Sequence, residues 1–377
     1  MNKKIKIIFF SIFIIMITFP IIQQNFKIVN INALKENRER IKKPEGNLLT
    51  KLFYERDFSK KYEEYYNDNY SMRDFFVKLN NQLMYSLFNE SKQTIVGKDG
   101  WLCDRSVIEN QEIAIDNLTD EQREKMNNRI LKLSRYLKSK GITLILVPIP
   151  MKNTVYPEMF PNINVVRPKE TGFLKFRNFL INNTELNYID VYGILTKEKR
   201  RNPVYFKTDM HWNYVGAFHT SKEIVNLIGK LSKTNVKWSY PLQTYDKKFV
   251  GGGESVAMGL FWAPNEETAF VKNNWIDIAS EVKNPPKPYG IIYRLKNDTG
   301  KLLLPKTLMI GNSFMLYLPS TGFYNYFSEV YHLHDLSQFD GLLEYIPKDT
   351  KYVIWEFFEL ELAYQLQQDQ WWAQIEK

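Results

Sequence analysis

The sequence predicts an α/β protein with a mostly parallel sheet flanked by helices, an amino-terminal transmembrane anchor and a helical arm. Three observations carry this. "ITLILVPIP" (Ile142 to Pro150) is an unbroken apolar run, as expected of a parallel strand buried on both faces. Helical stripes alternate with such runs along the rest of the chain, the pattern of a parallel sheet. The chain also opens on "MNKKIK", followed by sixteen residues (Ile7 to Ile22) of which only Ser11 and Thr18 are polar.

That opening is what the secretory machinery reads, a basic start before an apolar run. Sixteen residues rise about 24 Å as a helix, short of a hydrocarbon core of about 30 Å, so a cleaved signal stays open. "QQNFKIVNINALK" offers no small-x-small cleavage site, which favours a retained anchor over residues 1–24. The body is then extracytoplasmic, or secreted if the signal is cleaved. Residues 25–47 read as a charged linker. Residues 48–93, rich in Tyr and Phe, read as an amphipathic helical arm packed on the main domain, which spans 94–377.

Within that domain "TIVGKDGWLC" (Thr94 to Cys103) is a tight-hairpin signal around Asp99-Gly100. Thr119 to Lys140 is a helix: Thr119 and Gln122 form a capping box, Met126, Ile130, Leu133 and Leu137 make one stripe, and Gly141 ends it. After the 142–150 strand come a helix near 169–182, a short strand near "LNYIDVY" and a helix over 214–231. The later strands are "KTLMIG", "EVYHL" and "KYVIWEF". Residues 238–299 read as insertions and loops.

Charge and cysteine content exclude several classes. The net charge is +9, but nine Lys/Arg and two Glu lie between Met1 and Lys43, leaving +2 for the rest of the chain. A near-neutral body lacks the electrostatic footprint of phosphate binding, so nucleic acid is excluded. One cysteine, Cys103, excludes an internal disulfide and any Cys-based zinc site.

The chemistry centres on "VYFKTDMHWN" (Val204 to Asn213) and "LMIGNSFM" (Leu308 to Met315). Parallel sheets present reactive groups at the carboxyl ends of their strands. Ser313 lies just past a strand and a permissive Gly311, where the next helix is expected to start and to offer free N–H groups to an oxyanion. A serine needs a base to take its proton. His211 can be that base and Asp209 can orient it, if Asp209 to His211 is an extended loop. Asn312, Lys152 and Trp212 are candidates for contacting substrate or the oxyanion, Lys152 alternatively being a solvated loop charge and Trp212 a wall of the triad. Glu356 and Glu359 read either as structural or as holding an Arg or a hydroxyl.

Two further motifs have plainer readings. "HLHD" (His332 to Asp335) could hold a metal but reads better as a surface or cleft-lining strand, and no metal is expected. Gly251-Gly252-Gly253 lacks the Lys-Ser/Thr of a phosphate loop and reads as a flexible rim.

Together these residues resemble the alginate O-acetyltransferase group of SGNH-hydrolase-like proteins, with the related DHHW family. The resemblance rests on "VGKDGWLC", "NDNYSMRD" (Asn67 to Asp74), "TDMHWN", "GNSF" and "VIWEFFEL", over about residues 48–365. Cys103 stands where the group has an aromatic, and Met210 where the strict DHHW sequence has a second His. The resemblance implies an SGNH-like fold, a triad of Ser313, His211 and Asp209, and no cofactor. It further implies transfer of acetyl groups onto an exopolysaccharide or cell-wall polymer, with a multi-pass membrane O-acyltransferase as the donor partner. A carbohydrate acetylesterase with the same triad, or a non-catalytic polymer-binding scaffold, is the alternative.

Overall fold

The computed structural model describes residues 3–46 (apart from 31 and 37), 57–109, 115–161, 170–297 (apart from 274, 276, 278–279 and 282–290), 302–333 and 346–375 (apart from 368, 370–371 and 373–374). The chain forms two compact units, residues 1–94 with 255–263, and residues 95–254 with 264–377.

The first unit is helical. Its leading helix runs Lys3–Phe26, through Pro20, and the 23 residues from Lys4 are apolar and long enough to cross a membrane. That is about 34 Å of helix, so the sixteen-residue core understates the reach of the segment. Two more helices follow, Phe58–Asn69 and Arg73–Phe88, separated where Tyr70 turns extended. The charged segment before them is docked rather than free. Arg38 pairs with Asp68, Arg40 Nη2 lies 2.6 Å from Asp74 Oδ1, and Arg73 Nη2 lies 2.9 Å from Glu36 Oε1. Asp68, Arg73 and Asp74 of "NDNYSMRD" thus tie the linker to the helices.

The second unit opens with a hairpin of β1 (Thr94–Val96) and β2 (Leu102–Asp104). Asp99 and Gly100 both adopt positive φ (52° and 77°) to make the reversal. Among the described residues the large sheet of this unit has seven strands: β3 (Thr143–Ile149), β4 (Asn187–Tyr188), β7 (Ser280–Glu281), β8 (Ile291–Lys296), β9 (Thr307–Ile310), β10 (Glu329–Leu333) and β11 (Tyr352–Phe358). β5 (Thr244–Phe249) and β6 (Glu266–Val271) form a separate antiparallel pair. The strand order of the large sheet is β4-β3-β11-β9-β10-β8-β7. Neighbours from β4 to β10 are parallel, while β8 is antiparallel to both β10 and β7.

Alternation along the central strands builds two cores. Ile145, Val147, Met309 and Ile354 face one layer, with the helix Tyr214–Leu231. Leu146, Leu308, Val353 and Trp355 face the other, with the helices Asp120–Ser139 and Gly172–Asn182. Each such side chain contributes roughly 1.5–3 kcal/mol on burial, which explains why these runs read as continuously apolar. The capping box of Thr119 and Gln122 is formed in both directions.

Two expectations change. Residues 238–299 are not only loops, since they supply β5, β6, β7 and β8. β5 and β6 are separated by sixteen residues, so no short turn advertises their pairing. The helix expected to start at Ser313 does start there, but as the first of a series of short 3₁₀ turns over 313–326.

Candidate active site

Register brings the reactive segments to one edge. Trp355 of β11 pairs with Leu146 of β3 and with Ile310 of β9, so the chain leaves β3 and β9 at the same end of the sheet. The loop between Val204 and Asn213 is closed beside them by a bridge of Tyr205 with Trp212, and Phe206 N–H donates to His211 O at 3.2 Å. Asn213 ends it by accepting from the N–H groups of Val215 and Gly216, which starts the next helix.

Inside this loop His211 Nδ1 lies 2.5 Å from Asp209 Oδ1, and His211 Nε2 lies 2.6 Å from Ser313 Oγ. With Nδ1 donating to the carboxylate, Nε2 is free to accept from the serine hydroxyl. Asp209 also accepts from the N–H of His211 at 3.0 Å and of Gly253 at 2.6 Å. Burial alone would raise the Asp209 pKa. The hydrogen bond and charge of His211 and the two amides outweigh it, and the carboxyl is held down at about 2. The imidazole packs between Phe314 and Tyr317, with ring centroids 4.7 and 5.4 Å away.

The loop is braced from below by groups that sequence reasoning misplaced or missed. Lys152 is buried, neither a solvated charge nor a group facing substrate. Its ammonium donates to the carbonyls of Phe206, Lys207 and Asp209 at 3.3, 3.2 and 2.8 Å, and lies 3.4 Å from Glu254 Oε1. Glu266 accepts from the amides of Lys207 and Thr208 at 2.9 and 2.8 Å and from the Thr208 hydroxyl at 2.8 Å. Glu266 gave no sequence signal because it lies 57 residues from Asp209 on a strand that was read as loop.

The nucleophile side is braced as tightly. Glu356 is fully buried, and its Oε2 accepts from Asn312 N–H at 2.7 Å. Burial, and then the charge of Glu361, push its pKa well above the carboxylate range. A Cβ on Gly311 would stand 2.3 Å from that same oxygen and 2.6 Å from Met315 Sδ, so only glycine fits. Asn312 donates through Nδ2 to Glu361 at 2.8 Å and accepts from Phe314 N–H at 2.9 Å. Both polar atoms of its side chain thus help to hold the turn. Gly311 N–H goes to Leu333 O and Met315 N–H to Asn312 O, and among the described residues the Ser313 amide has no acceptor.

Trp212 neither lines the cleft nor offers a stacking face. It is wholly buried, and its indole N–H donates to Phe314 O at 3.1 Å, joining the base loop to the serine turn. Glu359 accepts from Met151 N–H at 2.7 Å and the Thr154 hydroxyl at 3.1 Å, which seats the turn bearing Lys152. Gly251 to Gly253 is a strut rather than a loose rim: a Cβ on Gly252 would meet Thr208 O at 2.3 Å. His332 is buried in an interior strand, its Nδ1 2.9 Å from Tyr324 Oη, so β10 is not a surface strand. His334 and Asp335 lie outside the described residues.

Residues 94–247 match the family described as the SGNH hydrolase-like domain of acetyltransferase AlgX. That stretch is similar to the SGNH hydrolase-like domain of these acetyltransferases. The matched stretch includes Asp209 and His211 and stops short of Ser313. The chain is 26% identical over 159 residues to the probable alginate O-acetylase AlgJ of Pseudomonas aeruginosa, covering 41% of this chain and 38% of that protein. It is 27% identical over 164 residues to the AlgJ of Pseudomonas syringae pv. tomato, covering 42% and 40%. The matches thus span about two-fifths of the length of these relatives. Among solved structures, Bacillus cereus PatB1 with a sulfonyl adduct shares the SGNH-like fold at TM-score 0.51 and 17% identity, covering 72% of this chain and 97% of that one.

Proposed function

We propose that this chain is an extracytoplasmic, membrane-anchored O-acetyltransferase that moves acetyl groups through a Ser313 acyl-enzyme onto hydroxyls of an exopolysaccharide or cell-wall polymer. The observation that carries the reading is the relay of 2.5 and 2.6 Å from Asp209 through His211 to Ser313, in a chain with an acetyltransferase-type domain.

Ser313 Oγ attacks the acetyl carbonyl carbon while His211 Nε2 takes its proton. Asp209 holds the ring's tautomer and stabilises the imidazolium. The oxyanion gathers at the uncommitted Ser313 N–H. Collapse expels the donor's alkoxide or thiolate, which takes the proton back from His211. A sugar hydroxyl then attacks the acetyl-serine, His211 accepts its proton, and the new ester leaves as Ser313 is reprotonated. The amino-terminal helix, long and apolar enough to cross a membrane, is retained as the anchor in this reading. A multi-pass membrane O-acyltransferase supplies the acetyl groups, as the resemblance to the alginate group implies.

An acetylesterase would use the same relay with water as the acceptor. The deciding experiment exposes the protein briefly to an activated acetyl ester and maps the adduct by intact-mass and peptide mass spectrometry. One acetyl group on Ser313, absent in His211→Ala, is expected; a folded protein that never acquires it sinks the enzyme reading. Adding oligosaccharide should then convert the adduct into acetylated sugar faster than into free acetate. Free acetate as the sole product would mark an esterase instead.

A further inference from the structure

The helix Arg73–Phe88 turns an apolar stripe outward. Phe76, Leu79, Leu83 and Leu87 recur once per turn along one side and are 39%, 37%, 49% and 68% exposed. Phe261 extends the stripe, its ring 5.5 Å from Phe75, and so does Trp262, whose N–H donates to Gln82 Oε1 at 3.2 Å. Trp262 is 77% exposed. The polar side of the same helix is the one already used: Asn81 donates to Met258 O at 2.9 Å, and Asp74 is buried against Arg40. A surface helix ordinarily does the opposite and hides its apolar side. A contiguous apolar patch of this kind marks a surface that is covered in use.

The position of the stripe in the same unit bears on what would cover it. Two residues before this helix begins, Ser71 Oγ donates to Pro20 O at 3.2 Å and Ser71 N–H to Gln24 Oε1 at 2.7 Å. Pro20 and Gln24 lie in the last turns of the membrane-length helix Lys3–Phe26. The stripe therefore starts where that helix leaves the apolar layer. A tryptophan and a row of Leu and Phe on one side are what an interfacial helix presents to lipid.

We propose that Arg73–Phe88 is an interfacial helix that lies on the bilayer, with Phe76, Leu79, Leu83, Leu87 and Trp262 immersed in lipid. The inference rests on the retained anchor proposed above. Its consequence is that the first unit is held at the membrane by two contacts, a spanning helix and a resting one.

Cys103, the sole native thiol and buried, makes the test direct. The full chain carrying Cys103→Ser is reconstituted in phosphatidylcholine/phosphatidylglycerol nanodiscs. Nitroxides are attached in turn at Leu79→Cys and Leu83→Cys, with Ile14→Cys as the lipid reference and Lys132→Cys as the water reference. Collision with dissolved oxygen should exceed collision with a water-soluble nickel chelate several-fold at 79 and 83, as at 14. Nickel-dominated collisions like those at 132 overturn the proposal. An immobilised label reached by neither reagent also overturns it, and means that a protein partner or a second copy covers the stripe. Lipid exposure at 14 but not at 79 and 83 defeats this inference and leaves the anchor standing. If residue 14 is missing from the intact mass, the anchor reading falls, and the measurement at 79 and 83 on vesicles still decides the stripe. A check free of stripe substitutions uses brominated lipid, which should quench part of the tryptophan emission of the unlabelled protein. Quenching no smaller in Trp262→Phe would count against immersion of that ring.

Discussion

Asp209 is a buried carboxylate whose charge its hydrogen-bond partners preserve. Its pKa lies near 2 in the folded protein against an ordinary 3.8, so an unfolded chain takes up a proton where the folded one does not. The stabilisation is complete above about pH 4 and drains away as pH falls through 2, and it amounts to about 2 kcal/mol. Urea melts at stepped pH should show this loss in the wild type, and Asp209→Asn should flatten that part of the profile. Glu356 behaves oppositely. Its pKa is raised by burial and by Glu361, so the folded chain holds a proton that the unfolded one releases above 4.5. Stability therefore falls as pH rises from 4.5 toward its folded pKa. Glu356→Gln, which keeps an acceptor for the Asn312 amide, should remove that slope; parallel melting curves for the two proteins from pH 5 to 8 would contradict it. The proposed nucleophile, base and orienting carboxylate were legible in the sequence because short motifs keep Asp209 beside His211 and Ser313 past a strand. Glu356 was visible and unassigned, since a motif does not say which strand ends stand level.

At the scale of elements, the loop carrying Asp209 and His211 is a suspended structure whose supports come from far along the chain. Lys152, on the turn after β3, holds three of its carbonyls, and Glu266 on β6 holds its amides from the other side. Lys152→Met leaves those carbonyls and the Glu254 carboxylate buried without their cation, at about 3–5 kcal/mol. A double change with Glu254→Leu should recover part of that loss in chemical denaturation; no recovery would mean that the carbonyls, not the ion pair, are what Lys152 serves. Gly311→Ala should destabilise by about 1–3 kcal/mol, because Glu356 and Met315 leave no room for a methyl group. It should also slow acetylation of Ser313 by at least about tenfold, since the serine turn must shift. Acetylation at the wild-type rate would show that the turn tolerates displacement. The capping box and the apolar strands are legible in local pattern, because Thr119 and "ITLILVPIP" act within a few residues. The β5–β6 pair and the antiparallel β8 were not, because their partners are distant and no tight turn joins them.

At the scale of the whole chain, the division of charge noted in the sequence becomes architecture. Much of the basic excess sits in the first unit, where Arg38, Arg40 and Arg73 are paired with Asp68, Asp74 and Glu36 rather than spread as a polyanion-binding surface. The anchor reading makes a simple demand: the purified full chain should need detergent to stay in solution and should show an intact mass that includes the Lys3–Phe26 helix. A soluble product beginning after that helix would mean a cleaved signal. Sequence alone undervalued this helix, because a count of apolar residues stops at Ile22 while the hydrogen-bonded helix continues to Phe26.

The place of β11 bears on when the proposed site can form. It is the strand that separates β3 from β9, so the turns bearing Lys152 and Ser313 acquire their common edge only after Tyr352–Phe358 has inserted between them. In the proposed extracytoplasmic reading, export from the amino-terminal side delivers Asp209, His211 and Ser313 well before it delivers that strand. Until residue 358 has crossed, the three side chains would have no completed sheet to hold them in line, and a half-exported chain would carry the proposed relay in its sequence without a formed site.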